Sequence, residues 1–202
     1  MTVSGVRIES CSRDMTPEVS RILARAFVGN PLHVATFGPD RLARNESFFR
    51  GVLGTMTGTK LVALDGPQIL GFIHWVRSPG CQPSGVEKAR TAPAILVGVG
   101  LPATLRLLSW LSAWSRCEPA EAHVHLGPIG VDPIAQGKHI GGRLMERYVE
   151  ELVRSGETGY LETDRPDNVR FYQHFGFETT RELNVSGVLN YLMWRPSGSA
   201  AP

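Results

Sequence analysis

The stretch that most constrains this chain is HLGPIGVDPIAQGKHIGGRLMERYVEEL, from His125 to Leu152. An apolar run closes at Val131, Asp132-Pro133 turns the chain, and glycines then open a long amphipathic helix. The start of a helix presents unpaired N–H groups and a partial positive charge, so it binds anions without needing Lys or Arg. Glycines let the backbone approach a phosphate closely and take positive φ. The run Gln136-Gly137-Lys138-His139-Ile140-Gly141-Gly142 suits that purpose. Two nucleotide-binding loops are excluded. A Walker loop requires Gly-Lys-Ser/Thr, and here His139 follows Lys138; a dinucleotide fold requires the loop in an early βαβ unit, which the preceding elements do not supply.

Upstream, Val3 to Glu9 reads as an opening strand. Thr16-Pro17-Glu18 starts a helix with Thr16 as its cap and Pro17 in its first turn. Its apolar residues, Val19, Ile22, Leu23, Ala26 and Phe27, recur at helical spacing until Gly29-Asn30-Pro31. Leu32 to Phe37 reads as a loop carrying His33. A second helix runs from Pro39 to about Met56 with Leu42, Phe49 and Leu53 inward. Two strands, Lys60 to Leu64 and Ile69 to Arg77, flank the hairpin signal Asp65-Gly66. The alternation in ILGFIHWVR puts Gly71, Ile73 and Trp75 on one face. His74 reads as a half-exposed sheet residue on the other.

Ser78 to Thr91, rich in Pro, Gly and Ser, reads as a mobile connection. Ala92 to Trp114 is the most apolar segment. Arg106 lies inside it and Pro93 and Pro102 interrupt it, so it falls short of the roughly 20 uncharged residues of a membrane span. Leu101, Leu105, Leu108 and Leu111 follow helical spacing, which predicts a helix or helix pair covering the core or a substrate pocket; a membrane-surface role is the alternative. A strand from Glu121 to Val131 leads into the helix Gly137 to Arg154, whose inner face is Leu144, Met145, Tyr148, Leu152 and Val153, and which Ser155-Gly156 ends. Tyr160 to Thr163 is a strand, Pro166 to His174 a helix, and Phe177–Leu183 with Val188–Trp194 a final antiparallel pair. The chain is expected to form a single domain over 1–196, with 197–202 a disordered tail.

Composition closes off several classes of function. A net charge of +2, without a basic stripe, excludes a nucleic-acid partner. The 3 cysteines are far apart and form no CxxC pattern, so neither a disulfide framework nor a structural zinc site is expected. The first ten residues carry no apolar signal segment, and a cytoplasmic location is expected.

LGPIGVDPIAQGKHIGGRLM resembles the acetyl-CoA-binding motif of the GNAT superfamily of N-acetyltransferases, Q/R-x-x-G-x-G/A after a strand ending in Val-x-Pro. DNVRFYQHFGFE resembles the same family's later motif, and the two stand in the same order, one helix and one strand apart. The resemblance implies an α/β (α+β) fold: a mixed, mostly antiparallel sheet of six or seven strands, flanked by helices and splayed at the cofactor. It implies an N-acetyltransferase moving an acetyl group from acetyl-CoA to a primary amine by direct attack, without a metal. A small-molecule acceptor is expected; a protein acceptor and a non-catalytic acyl-CoA-binding module are the alternatives. No membrane partner is expected, and a homodimer is left open.

Residue by residue, the resemblance implies that backbone groups of Ile129, Gly130 and Val131 pair with the pantetheine arm, the Ile129 N–H facing the thioester carbonyl. The N–H groups of the loop from Gln136 through Gly137, Lys138, His139, Ile140, Gly141 and Gly142 would hold the pyrophosphate. Asn168 and Phe171 would flank the cofactor, and Tyr172 would act as general acid toward the leaving thiolate. His139 replaces a loop glycine of the pattern, and either crowds the phosphates or donates to them. The base is open between His125, whose ordinary pKa suits the task, and Glu162 across the cleft. His123 lies two residues before His125 on the same face, and His-x-His on a strand can hold zinc, but the sequence reveals no third or fourth ligand.

Overall fold

The Asp65-Gly66 signal does make a hairpin, in which β2 (Thr59–Asp65) runs into β3 (Gln68–Arg77). Gly66 takes φ 55°, which its lack of a side chain permits. The computed structural model describes residues 5–81 and 85–199, with backbone alone at 85 and 87–90. Around the hairpin lie β1 (Arg7–Ser10), β4 (Val124–Val131), β5 (Gly159–Thr163), β6 (Glu178–Val185) and β7 (Val188–Arg195). The helices are α1 (Thr16–Phe27), α2 (Pro31–Phe37), α3 (Leu42–Thr55), α4 (Gly85–Val99), α5 (Leu101–Ser115), α6 (Ile140–Ser155) and α7 (Pro166–Gln173).

The seven strands form one sheet in the order β1-β2-β3-β4-β5-β7-β6. Every neighbouring pair is antiparallel except β4 and β5. That parallel seam is short, with Val124 opposite Gly159 and His125 opposite Tyr160 and no register beyond. The β3–β4 ladder shifts register between Ile73 and Trp75, the kind of bulge that bends a strand away. From Gly127 onward β4 therefore keeps β3 on one side and leaves its other edge open.

Apolar periodicity decides what covers the sheet. The inner stripe of α6, Leu144, Met145, Tyr148 and Leu152, is fully buried against Ile73, Trp75, Leu126 and Leu161 on one face. On the other face Ile22, Leu23 and Phe49 of α1 and α3 pack on Val62 and Phe72. Each such side chain contributes about 1.5–3 kcal/mol when removed from water. Two polar ties fix β4 between these layers. The Tyr148 hydroxyl donates to the Val124 carbonyl at 2.6 Å, and Arg25 of α1 is paired with Asp132 just past the strand.

Several expectations change. The opening strand starts at Arg7, and Val3 lies outside the described residues. Thr16 is inside α1 rather than its cap, because a short 3-10 turn at Arg13–Met15 leads straight into the helix. The segment carrying His33 is a helix, since Pro31 both ends α1's exit and occupies the first turn of α2. Leu42 begins α3 and is exposed, and Val153 is exposed on α6, where Val149 takes the inner position. His74 is buried, not half-exposed, because β3 is central and covered on both faces. From Gly85 the expected connection is already helix α4, with Pro93 inside it. On α5 the inward residues are Ala103, Leu107 and Trp110, while the stripe Leu101, Leu105, Leu108 and Leu111 faces outward. Among the described residues no helix is long and apolar enough to cross a membrane. Residues 200–202 of the expected tail lie outside the described residues.

Candidate active site

Where β4 parts from β5 there is a cleft of about 490 Å³. Ile129, Gly130 and Val131 of β4 form its floor. Gln136, Gly137, His139 and the first α6 residues, Ile140, Gly141 and Gly142, form one wall. Asn168, Phe171 and Tyr172 of α7 form the wall opposite. Of the residues that the sequence assigns to the cofactor, Lys138 alone is off this lining, and it is exposed.

Local chemistry builds the loop. Asp132 accepts from the Ile134 N–H at 3.2 Å, which stops the strand and starts a 3-10 turn over Pro133–Ala135. Gln136 Nε2 donates to the Val131 carbonyl at 3.2 Å and ties the loop back to the strand. Gly137 and His139 take φ 75° and 59°, so the backbone turns with left-handed residues immediately before α6. A non-glycine residue in that region is held at a cost of order 1–3 kcal/mol. His139 makes no capping bond with its side chain.

The glycines divide by cause. A Cβ on Gly130 would meet Leu23 Cδ2 at 2.7 Å, so this glycine exists for the close approach of α1. A Cβ on Gly142 would meet nothing within 4 Å, and Gly142 lies in a helix, where glycine is about 1 kcal/mol worse than alanine. The fold gives no reason for it.

On α7, Asn168 Nδ2 donates to Thr163 Oγ1 at 3.2 Å. Tyr172 is 6% exposed and borders the cleft. Burial, and after it the charge of Asp164, pushes its phenol above the ordinary range, so it carries its proton at neutral pH. Asp164 is itself raised by burial, a shift held back by the Leu32 N–H that it binds at 2.7 Å.

The two base candidates are joined. His125 Nε2 lies 2.7 Å from Glu162 Oε2, on side chains 15% and 3% exposed. Burial acts to lower the imidazole, but the Glu162 charge and the Cys81 thiol outweigh it and carry His125 up to about 10. Neither residue lines the 490 Å³ cleft. Behind them, His74 Nε2 contacts the Thr57 carbonyl at 2.5 Å, and burial lowers its pKa to about 4. His33 is a core residue, its Nδ1 2.6 Å from Asn45 Oδ1 inside an aromatic shell that includes Phe49 and Trp110.

Sequence reasoning misses other contributors. Ala26 and Phe27 at the end of α1 and Asn30 just before α2 line the cleft, as do Ala135 and Arg165. The helical pattern marks Ala26 and Phe27 as apolar but does not say that they meet the loop a hundred residues on. Cys81 and Glu118 also come to His123, from two connections whose spacing carries no signal.

Residues 30–177 match the model of the Acetyltransferase (GNAT) family. The chain is 38% identical over 108 residues to N-alpha-acetyltransferase RimI of Mycobacterium tuberculosis, an overlap of 50% of this chain and 66% of that protein. It is 36% identical over 55 residues to mycothiol acetyltransferase of Brachybacterium faecium, covering 26% of this chain and 17% of that one. The chain thus spans less than two thirds of the length of either relative. Its fold is similar to a histone acetyltransferase HPA2 and related acetyltransferase from Corynebacterium glutamicum, with TM-score 0.74, 19% identity, and 97% and 98% of the two chains covered. It is also similar to arylalkylamine N-acetyltransferase 2 from Aedes aegypti, with TM-score 0.69, 16% identity, and 96% and 99% covered. At these identities the structural likeness is one of fold.

Proposed function

The chain belongs to the acetyltransferase (GNAT) family, and we propose that it transfers an acetyl group from acetyl-CoA to the primary amine of a small molecule, by direct attack and in the cytoplasm. One observation carries this reading. A strand edge left open at β4 adjoins a helix start whose Gly142 has no packing reason to be glycine. Main-chain pairing for an extended amide arm and bare N–H groups for phosphates thus occur in one cleft.

The residues present fit acetyl-CoA, which supplies the acetyl group activated as a thioester. Loop N–H groups from Gly137 to Gly142 hold its pyrophosphate, and the open edge of Ile129 to Val131 pairs with its arm. The Ile129 N–H donates to the carbonyl oxygen as charge develops there. Tyr172 donates its phenolic proton to the departing sulfur.

The incoming amine must lose a proton, and the His125–Glu162 bond supports Glu162 as the base. A carboxylate only accepts, so the bond has His125 Nε2–H donating to Glu162 Oε2. With Nε2 committed as a donor, His125 positions the carboxylate, and the other oxygen of Glu162 takes the proton.

A protein N-terminus is the second acceptor class, favoured by the identity to a protein called an N-alpha-acetyltransferase. The test is thiol release from acetyl-CoA by the full chain, with a panel of small amines and of N-terminal peptides. Turnover with small amines above the peptide rate is expected. Turnover with peptides alone would move the acceptor to proteins, and acetyl-CoA binding without any turnover would leave a binding module.

A further inference from the structure

Beyond this chemistry, four side chains meet at the other end of β4. Cys81, Glu118, His123 and His125 each bring a donor atom to one spot, all within 4.8 Å of one another. Cys81 follows β3, Glu118 precedes β4, and the two histidines alternate along the start of that strand. Cys81 Sγ is 3.7 Å from His123 Nε2, and Glu118 Oε1 is 3.7 Å from the same nitrogen. Donors about 2.0–2.3 Å from one tetrahedral ion lie about 3.3–3.8 Å apart. We propose that these four residues bind a zinc ion, in a closed structural site that adjoins the acetyl-transfer chemistry through the His125–Glu162 bond.

The protons support this assignment. His123 Nδ1 lies 2.8 Å from the Glu121 carbonyl, which only accepts, so Nδ1 carries the hydrogen. That leaves Nε2 as a bare lone pair in the neutral ring, facing a thiol sulfur and a carboxylate oxygen. In the metal-free protein the Cys81 S–H donates to that nitrogen, and loss of the thiol proton would leave sulfur, nitrogen and carboxylate oxygen together as donors for one cation. Backbone-carbonyl anchoring of the distal nitrogen is also how a metal-bound histidine is usually oriented.

His125 repeats the arrangement with a carboxylate. Its Nε2–H goes to Glu162 at 2.7 Å, leaving Nδ1 as its ligand atom. Carboxylate, histidine and metal in series raise the basicity of the ligand and fix its ring. The His123 side chain is fully buried, and its main chain is held from both directions by Ser78: the His123 N–H donates to Ser78 Oγ at 3.0 Å, and the Ser78 N–H donates to the His123 carbonyl at 2.9 Å. The Tyr160 ring packs against both histidines, 5.3 Å from His123 and 5.2 Å from His125. A thiolate, two imidazoles and one carboxylate match the borderline-soft preference of zinc, with four protein ligands and no open position. On binding, Cys81 coordinates as thiolate and His125 through Nδ1, and each releases a proton to solvent.

The experiment is metal titration of the full chain after chelator treatment, with Co(II) as the coloured probe and Zn(II) as its competitor. One equivalent of Co(II) should give tetrahedral visible absorption with a thiolate charge-transfer band, and Zn(II) should displace it. Cys81→Ser should abolish the charge-transfer band, and His123→Gln should weaken binding about 100-fold. Glu118→Gln keeps the thiolate, so it should retain the band while losing affinity. Circular dichroism and melting of each metal-free variant against the metal-free wild type identify any that fail to fold, and the remaining variants then decide. No Co(II) spectrum from the wild type, or a thiolate band that survives in folded Cys81→Ser, overturns the proposal. Acetyl-CoA calorimetry on the same samples reads the cofactor site independently.

Discussion

His125 Nε2 and Glu162 Oε2 meet at 2.7 Å where β4 and β5 make their last pairing, so the sheet opens immediately beyond a charged hydrogen bond. The pair has one proton donor and one acceptor, and removing each should do different damage. Glu162→Gln deletes the oxygen assigned to the amine proton and should lower kcat by about 10²–10³-fold. His125→Gln leaves the carboxylate and should cost about tenfold, with KM for the amine rising as Glu162 loses its orientation. Steady-state kinetics on both variants check this, and an equal or larger loss in His125→Gln would return the base to the imidazole.

Tyr172 borders the cleft from α7 with its phenol held protonated. Tyr172→Phe removes a proton donor and no packing volume. Turnover should fall about 10–10²-fold with acetyl-CoA affinity unchanged by calorimetry. Full turnover would end the general-acid role.

The loop glycines lend themselves to a test with opposite signs. Gly142→Ala gains helix propensity in a place where its new methyl meets nothing, so the unliganded protein should gain about 0.5–1 kcal/mol. The same methyl would enter the proposed phosphate site, and acetyl-CoA binding should weaken at least tenfold. His139→Gly relieves a left-handed residue and should also stabilise the apo fold, by about 1 kcal/mol. Because His139 is exposed on the cleft lining, its effect on affinity separates crowding from donation: tighter binding in His139→Gly means crowding.

Acid should weaken the fold through His33. Burial lowers this imidazole from 6.5 to about 4, with the Asn45 bond pulling the other way. The unfolded chain takes up a proton near 6.5 that the folded chain refuses until about 4, so stability falls as pH drops across that window and levels off below it. The loss is about 3 kcal/mol from this residue. Denaturant unfolding at pH 7, 5 and 4 should show a steeper decline in wild type than in His33→Gln.

The walls of the cleft are legible in the sequence where they come from contiguous segments. One strand, loop and helix supply two sides of the cleft, and Asn168, Phe171 and Tyr172 lie on one short helix. The rest depends on contacts that spacing does not encode. Asp164 binds the Leu32 N–H across 132 positions, and Cys81 reaches His123 across 42. Helix α2 was hidden because seven residues are too few to display a period, and Pro31 reads equally as a stop or a start. His74 alternates like a surface residue, and only the sheet order, which makes β3 central, buries it. The outward leucine stripe of α5 has the same spacing as its inward one; periodicity finds both and does not choose.

The short seam between β4 and β5 also sets how the empty protein meets water. Past His125, β4 has one hydrogen-bonded edge and one solvated edge within the same few residues. Backbone amides along Gly127 to Val131 should therefore exchange with solvent deuterium in two populations, those facing β3 slow and those facing the gap fast. A bound extended arm would slow the second population and leave the first unchanged, so a single strand would report its own occupancy.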